Sequence, residues 1–109
     1  MQASKDFTKS VDAVAAVCAI DGEVAALTVR QLGLFLSLHD ATEPPSVRDL
    51  AARLRVTKAT VTRTIDRLCK IGLAKRDVDL VDLRLVRLMP TLRGSKLAER
   101  VAAALREAA

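Results

Sequence analysis

The segment from Ser46 to Arg67 has the hydrophobic pattern of two short helices joined by a tight turn. In its second half, Val61, Ile65 and Leu68 recur at spacings of four and three, as on a helix face that packs on a core. The opposite face carries small, hydroxyl-bearing and basic side chains, namely Ala59, Thr60, Thr62, Arg63, Arg67 and Lys70. Hydroxyl and guanidinium groups can reach phosphates and base edges in a major groove. This helix alone fits a DNA-reading face and an ordinary solvated face equally well.

Capping residues mark the ends of this helical pair. Ser46 with Asp49 three residues later starts the first helix, and Thr57 caps the second. The second helix is predicted to run to about Ile71 and to end at Gly72.

Two further helices are predicted before this pair. The first runs from about Lys5 to Ile20, and its apolar stripe consists of Phe7, Val11, Val14, Val17 and Cys18. Asp21-Gly22 breaks it. The second begins at Thr28, where Gln31 completes a capping box, and ends near His39.

After Gly72 the pattern changes to that of a β-hairpin followed by a helix. Residues 73–76 form a short strand, 77–82 the tip, and 83–88 a second strand that Met89-Pro90 stops. Thr91 caps a last helix from Leu92 to about Glu107, with a seam at Leu97, Val101, Ala104, Leu105 and Ala108. The predicted fold is mainly α with a small β-hairpin, a winged helix-turn-helix.

The charge distribution favours the DNA-reading interpretation. The 109-residue chain suits one domain and has a net charge of +5. Residues 46–76 hold nine Lys or Arg against Asp49 and Asp66, a net of +7, which leaves −2 for the remainder. Concentrated basic charge is typical of a phosphate-binding surface.

Composition argues against several other classes of protein. There are two Phe and no Trp or Tyr, so aromatic platforms for single-stranded nucleic acid are not expected. Membrane-spanning and signal-peptide patterns are not found, which predicts a cytoplasmic protein without membrane contact. His39 is the only histidine, and no nucleophile pattern surrounds it in the sequence. The sequence also shows no glycine-rich phosphate loop and no cluster of acids, so neither an enzyme nor a cofactor or metal site is expected. His39 fits a polar or charged group at a helix end.

Four pieces of the chain occur in the order and spacing of a known family. They read LTVRQ at 27–31, VRDLAARLRVTKATVTRTIDRLCKIGLAKR at 47–76, DLVDLR at 79–84 and TLRG at 91–94. The run resembles the MarR (multiple-antibiotic-resistance regulator) family of bacterial transcription factors. The resemblance implies a sequence-specific regulator, expected to be a repressor, that binds double-stranded DNA at a near-palindromic operator as a homodimer.

The resemblance also carries roles to individual residues. Thr57, Lys58, Thr60, Thr62 and Arg63 match the DNA-contacting helix positions, Arg84 matches a wing arginine that reaches the minor groove, and Asp82 matches an acid that holds the wing in shape. From position and charge, Arg48, Arg55, Ala59 and Arg67 join the expected DNA surface. Homodimer contacts are expected at Val11, Val14, Leu97, Val101 and Leu105. Residues 1–26 and 91–109 would then flank a DNA-binding core of residues 27–90 in a single domain.

The chain departs from the family pattern in its wing and in its length. The wing commonly reads Asp-x-x-Asp-Arg-Arg, whereas here Leu83 replaces one basic residue and Leu80 and Val81 occupy the tip. The wing could contact DNA weakly, or its apolar tip could contact protein, as in an adaptor or antirepressor with weak or no DNA binding. The shorter chain predicts less room for the small-molecule effector pocket that the family often has.

Cys18 invites comparison with family members that sense peroxide through a cysteine in the first helix. Its position on the apolar stripe and the lack of any Tyr favour a buried structural role instead.

Overall fold

The computed structural model describes residues 2–40, 42–78, 80–82 and 86–108. Six helices and one two-stranded hairpin follow one another along the chain: α1 Gln2–Cys18, α2 Gly22–Ala25, α3 Val29–Asp40, α4 Val47–Leu54, α5 Lys58–Lys70, β1 Ala74–Val78, β2 Val86–Pro90 and α6 Leu92–Ala108. The strands are antiparallel, with Ala74 opposite Pro90 and Val78 opposite Val86. This is a winged helix-turn-helix, as predicted, with α1 packed on α6.

The N-terminal capping boxes of α3 and α4 form as the sequence predicts. Gln31 N–H donates to Thr28 Oγ1 at 3.1 Å, and Thr28 N–H donates to Gln31 Oε1 at 2.9 Å, so each end of the capping box satisfies the other. Ser46 and Asp49 form the same reciprocal pair at the start of α4. Because these bonds satisfy amides that have no partner within the helix, they fix where α3 and α4 begin.

The core lies between α3, α4, α5, α6 and the hairpin. Its largest fully buried side chains are Leu34, Phe35, Leu50, Val61, Leu68, Leu73 and Val101. The predicted stripe of α5 is therefore confirmed, since Val61, Ile65 and Leu68 are all buried. Burial of this stripe turns the opposite face of α5 to solvent.

The start of α6 is tied closely to the end of α5. Thr91 Oγ1 donates to the Gly72 carbonyl at 2.6 Å and accepts from Gly94 N–H at 2.9 Å, so one hydroxyl caps α6 and joins the two segments. A Cβ on Gly94 would lie 2.2 Å from the Leu73 carbonyl oxygen. Only glycine allows α6 to approach the backbone this closely.

Arg93 joins three elements in a way that sequence reasoning did not find. Its guanidinium donates to the Ile71 carbonyl at 2.7 Å and to Glu23 Oε1 at 2.7 Å, and it lies 3.2 Å from Asp21 Oδ2. Asp21 in turn caps α2, a helix that the sequence did not predict, by accepting from Glu23 and Val24 N–H. The backbone hydrogen bond from Val24 is the main reason that the pKa of Asp21 is lowered.

Several element boundaries differ from the expected ones. The second strand includes Met89 and Pro90, which were expected to stop it. Pro90 is tolerated because it is the last residue of the strand, where its missing N–H removes little from the ladder. The first strand begins at Ala74 and reaches Val78, so part of the expected tip is strand. The expected second strand included residues 83–85, which lie outside the described residues.

The predicted burial of Cys18 is wrong. Its side chain is exposed, as are those of Phe7, Val11 and Val14 on the same helix. Within the described side chains of this stripe, Val17 is the one that reaches the core of the chain. Apart from Val17, the apolar residues described on this stripe are therefore not covered by the rest of the chain.

Candidate nucleic-acid interface

The exposed face of α5 presents a connected set of hydroxyl and guanidinium groups. Thr57 Oγ1 accepts from Thr60 N–H at 3.1 Å and lies 3.0 Å from Thr60 Oγ1. Arg63 Nη2 donates to Thr60 Oγ1 at 3.3 Å. Arg63 is otherwise exposed, so its guanidinium retains donors that can reach a ligand.

The other expected contact residues of the helical pair lie on exposed surface. Lys58, Ala59, Thr62 and Arg67 are exposed on α5, and Arg48 is exposed on α4. Thr62 Oγ1 donates to the Lys58 carbonyl at 3.0 Å, which leaves its oxygen lone pairs as acceptors. Their roles as DNA contacts stay predictions.

Arg55 occupies an unusual backbone conformation in the turn between the two helices. Its φ of 56° and ψ of 46° place it in the left-handed region, where it ends α4. The Val56 N–H then bonds to the Ala51 carbonyl at 3.1 Å, and Thr57 starts α5 in an extended conformation. The tight turn sets the angle between α4 and α5.

An open cleft of about 600 Å³ borders this face where α3 begins. Thr28, Val29 and Arg30 line it from α3, and Thr60 and Arg63 line it from α5. Arg30 therefore joins the basic surface, and sequence reasoning missed it. The signal was present in the motif LTVRQ, but only the packing of α3 on α5 brings the two segments together.

The hairpin flanks the same face of α5. Arg76 on β1 forms an ion pair with Asp66, which lies three residues after Arg63 on α5. At the tip, Leu80 is 92 % exposed and Val81 is 97 % exposed. Asp82 is partly buried. Arg84, the expected minor-groove contact, lies outside the described residues.

A second cleft, of about 780 Å³, lies between α3, α4 and α6. Leu36, Leu54, Ala98, Ala102 and Leu105 give it an apolar lining. Its polar lining includes Glu99 and a pair in which Arg53 contacts Asp40 at 2.7 Å. This volume falls within the usual range of roughly 300–1,000 Å³ for small-molecule sites.

His39 also lines this cleft and lies in the last turn of α3, the helix end where the sequence suggested a polar or charged group. Its ring packs edge-on against Phe35 with centroids 5.3 Å apart, and its Nε2 is buried without a hydrogen-bond partner. Loss of hydration lowers the pKa of His39, while the charge of Glu99 acts in the opposite direction. The neutral form of His39 is therefore favoured.

Metal-ligating clusters and membrane-spanning helices are absent from the part of the chain that the structure describes. Over those residues, no three His, Cys, Asp or Glu side chains gather as a metal site would require. No helix within the same ranges is long and apolar enough to cross a membrane.

Comparison with known proteins places these features in a family. The model of the MarR family matches residues 27–86, which is more than half of the chain. The chain belongs to the MarR family. No curated protein sequence matches it. The MarR match covers α3, both helices of the helix-turn-helix and β1, the elements that form the basic surface.

Solved structures of other proteins share this fold over most of the chain. A MarR-like transcriptional regulator from Thermotoga maritima is 25 % identical with a TM-score of 0.69, covering 99 % of this chain and 78 % of its own. A mutant of MepR from S. aureus, bound to an oligodeoxyribonucleotide, is 25 % identical with a TM-score of 0.69, over 82 % of this chain and 67 % of its own. CouR from Rhodococcus jostii RHA1, bound to p-coumaroyl-CoA, is 22 % identical with a TM-score of 0.67, over 85 % of this chain and 66 % of its own.

Proposed function

We propose that this MarR-family chain is a sequence-specific regulator that binds double-stranded DNA at a near-palindromic operator, as a homodimer, and represses transcription. The observation that carries the proposal is the exposed face of α5, where Thr60 and Arg63 project beside Arg30 of α3. A helix whose exposed face carries hydroxyl and guanidinium groups suits the major groove, where bases are distinguished. The MepR structure, which holds an oligodeoxyribonucleotide on the same fold, supports this proposal.

The electrostatics of the surface support the same partner. Residues 46–76 carry a net charge of +7, and the described basic side chains of α5 are exposed. Binding to DNA would release counterions from each neutralised phosphate, so the affinity should fall steeply with salt. A winged-helix module that worked through protein contact would show weak DNA affinity and little of this salt dependence.

The homodimer is proposed through an apolar strip on the terminal helices. Phe7, Val11 and Val14 are 71, 63 and 61 % exposed on α1, and Leu105 is 42 % exposed on α6. Spacings of four and three place the three α1 side chains on one face. Leu97 and Val101 do not belong to this strip, because they are buried in the core of the single chain. A second copy that covered the strip would remove its apolar surface from water.

The cleft between α3, α4 and α6 is our proposed site for a small-molecule effector. Its apolar lining and its polar groups from Asp40, Arg53 and Glu99 suit an amphipathic small molecule. CouR, which has the same fold, holds p-coumaroyl-CoA. A thermal-shift screen of small amphipathic molecules, compared with an Ala102→Trp variant that fills the cleft, would test this site. Equal shifts in both proteins would count against it.

Selection of bound duplexes from a random pool tests the central proposal. Two recognition helices related by two-fold symmetry should enrich an inverted repeat whose half-sites lie about one helical turn, roughly 10–10.5 base pairs, apart. Transcription from a promoter that carries the enriched site should fall when the protein is added. A pool that remains random after several rounds, with weak salt-insensitive retention, would refute DNA recognition.

A further inference from the structure

The guanidinium of Arg93, at the start of α6, spans three separate segments of the chain. Its Nη1 donates to the Ile71 carbonyl at 2.7 Å, while its Nη2 donates to Glu23 Oε1 at 2.7 Å and to Asp21 Oδ2 at 3.2 Å. Arginine can do this because its planar group holds five N–H donors in a fixed fork, whereas lysine carries its donors on one atom. None of the residues expected to contact DNA belongs to this cluster, so its role lies elsewhere.

The two nitrogens of Arg93 face different parts of the molecule. Ile71 caps the C-terminus of α5, the helix whose exposed face is proposed to read DNA. Asp21 caps α2 and lies three residues after the end of α1, the helix that carries the proposed homodimer strip. Arg93 itself begins α6, which packs on α1. The guanidinium therefore joins the end of α5 to the part of the chain that would form the dimer.

Two connections link α5 to that part of the chain. The main packing contacts of α5 are with α3, α4 and β1, and those of α1 are with α2 and α6. The helix α3 packs on both α5 and α6 and is the first connection. The second lies at the C-terminal end of α5, where Thr91 and Arg93 donate to the Gly72 and Ile71 carbonyls. These bonds restrict how far α5 can pivot on α3.

The exposure of the cluster indicates that it fixes geometry more than it stabilises the fold. The side chains of Arg93 and Glu23 are 41 % and 48 % exposed, and that of Asp21 is 24 % exposed. Isolated ion pairs at such exposure contribute little to stability, because water screens the charges. Removal of the cluster should therefore leave the chain folded and free the end of α5.

The direction of α5 decides how well a dimer fits an operator with two half-sites. Once the α5 helix of one protomer is bound, that of the other meets its half-site at an effective concentration that depends on how rigidly it is placed. We propose that Arg93 is a positioning residue, which fixes α5 relative to the dimer-forming helices and thereby sets the half-site spacing that the dimer accepts. This rests on the proposed binding of DNA as a homodimer. It concerns the placement of the two helices, not the contacts of either one with bases.

Arg93→Met tests the proposal on the duplex that the wild-type chain selects, on a single half-site, and on versions with one base pair inserted or removed between the half-sites. Methionine keeps an unbranched stem and a good helix propensity but has no donors. One base pair shifts a half-site by about 3.4 Å and turns it by roughly 35°. Full-site affinity should fall about fivefold or more, as expected when coupling between two sites is lost. Half-site affinity should stay within about twofold, and altered spacing should be penalised less than in the wild type.

A second variant removes the carboxylates that Arg93 binds. In Asp21→Asn/Glu23→Gln, the cap of α2 is kept, because Asn caps helices as well as Asp does. The loss of full-site affinity should be similar to that of Arg93→Met, and the combined variant should lose no more, since both changes break one connection. Arg100→Ala, which removes an exposed arginine from the same helix, is the matched control and should bind every duplex as the wild type does.

The ratio of full-site to half-site affinity decides the outcome. Equal weakening on both duplexes by Arg93→Met, or unchanged affinity and spacing preference, would overturn the proposal. So would a further loss in the combined variant as large as that of Arg93→Met alone. A wild-type chain that retains no duplex would instead refute the proposed function itself.

Discussion

Replacement of Arg63 by Ala tests the proposed interface most directly. Arg63 is exposed on α5, and its one described hydrogen bond is a 3.3 Å contact to Thr60 Oγ1. Alanine is the best helix former, and an exposed hydrogen bond of this length contributes little, so the melting temperature should stay nearly unchanged. The perturbation is therefore confined to binding.

The expected loss of DNA-binding free energy follows from the number of contacts that Arg63→Ala removes. A side chain that contacts a base edge contributes about 1–3 kcal/mol of discrimination, and a dimer loses the contact twice, so about 2–6 kcal/mol is at stake. Binding of the selected duplex should then weaken from about thirtyfold to more than a thousandfold. If Arg63 contacts phosphate instead, the salt slope should fall by about 1.8 for the dimer.

Fluorescence anisotropy with the selected duplex, over a range of salt concentrations, measures both quantities. Arg100→Ala on α6 is a matched control, because it removes the same charge from an exposed helical position on the element that packs on α1 and α3. Equal affinity of Arg63→Ala and the wild-type chain, or equal weakening by Arg100→Ala, would refute the assignment of this face to DNA.

Three other predictions concern packing, protonation and assembly. Gly94→Ala should lower the free energy of unfolding, measured by urea titration, by about 1–3 kcal/mol or more, because its Cβ would lie 2.2 Å from the Leu73 carbonyl oxygen. Gly22→Ala is the control and should be tolerated, because a Cβ there meets nothing within 4 Å. Folding lowers the pKa of His39 from 6.5, so the unfolded chain binds more protons and the free energy of unfolding should fall as the pH drops below 6.5. The His39→Phe variant should lose this pH dependence. An identical pH profile of the unfolding free energy in the variant and the wild type would contradict the reasoning. Val14→Glu should shift the chain from dimer to monomer in analytical ultracentrifugation, because a charge enters the exposed strip of α1; a dimer that persists at micromolar concentration would rule out this interface.

The local features of this chain follow from its amino-acid sequence alone. Thr28 with Gln31 and Ser46 with Asp49 marked the starts of α3 and α4, because a capping box needs only residues three apart in the chain. The stripe of Val61, Ile65 and Leu68 identified the buried side of α5, and so the exposed side with Arg63, since helical periodicity is also local. The family resemblance and the basic segment followed from the same residues.

Which apolar surfaces the chain covers itself depends on how distant segments pack together. The patterns of α1 and α6 are both amphipathic, yet Leu97 and Val101 are buried in the protomer while Phe7, Val11 and Val14 remain exposed. Periodicity shows that a face is apolar, but the element that covers it can be far away in the sequence or in another chain. The same holds for Arg30 beside Arg63, for the buried Nε2 of His39 and for Arg93 between α2, α5 and α6, because each depends on contacts between distant segments.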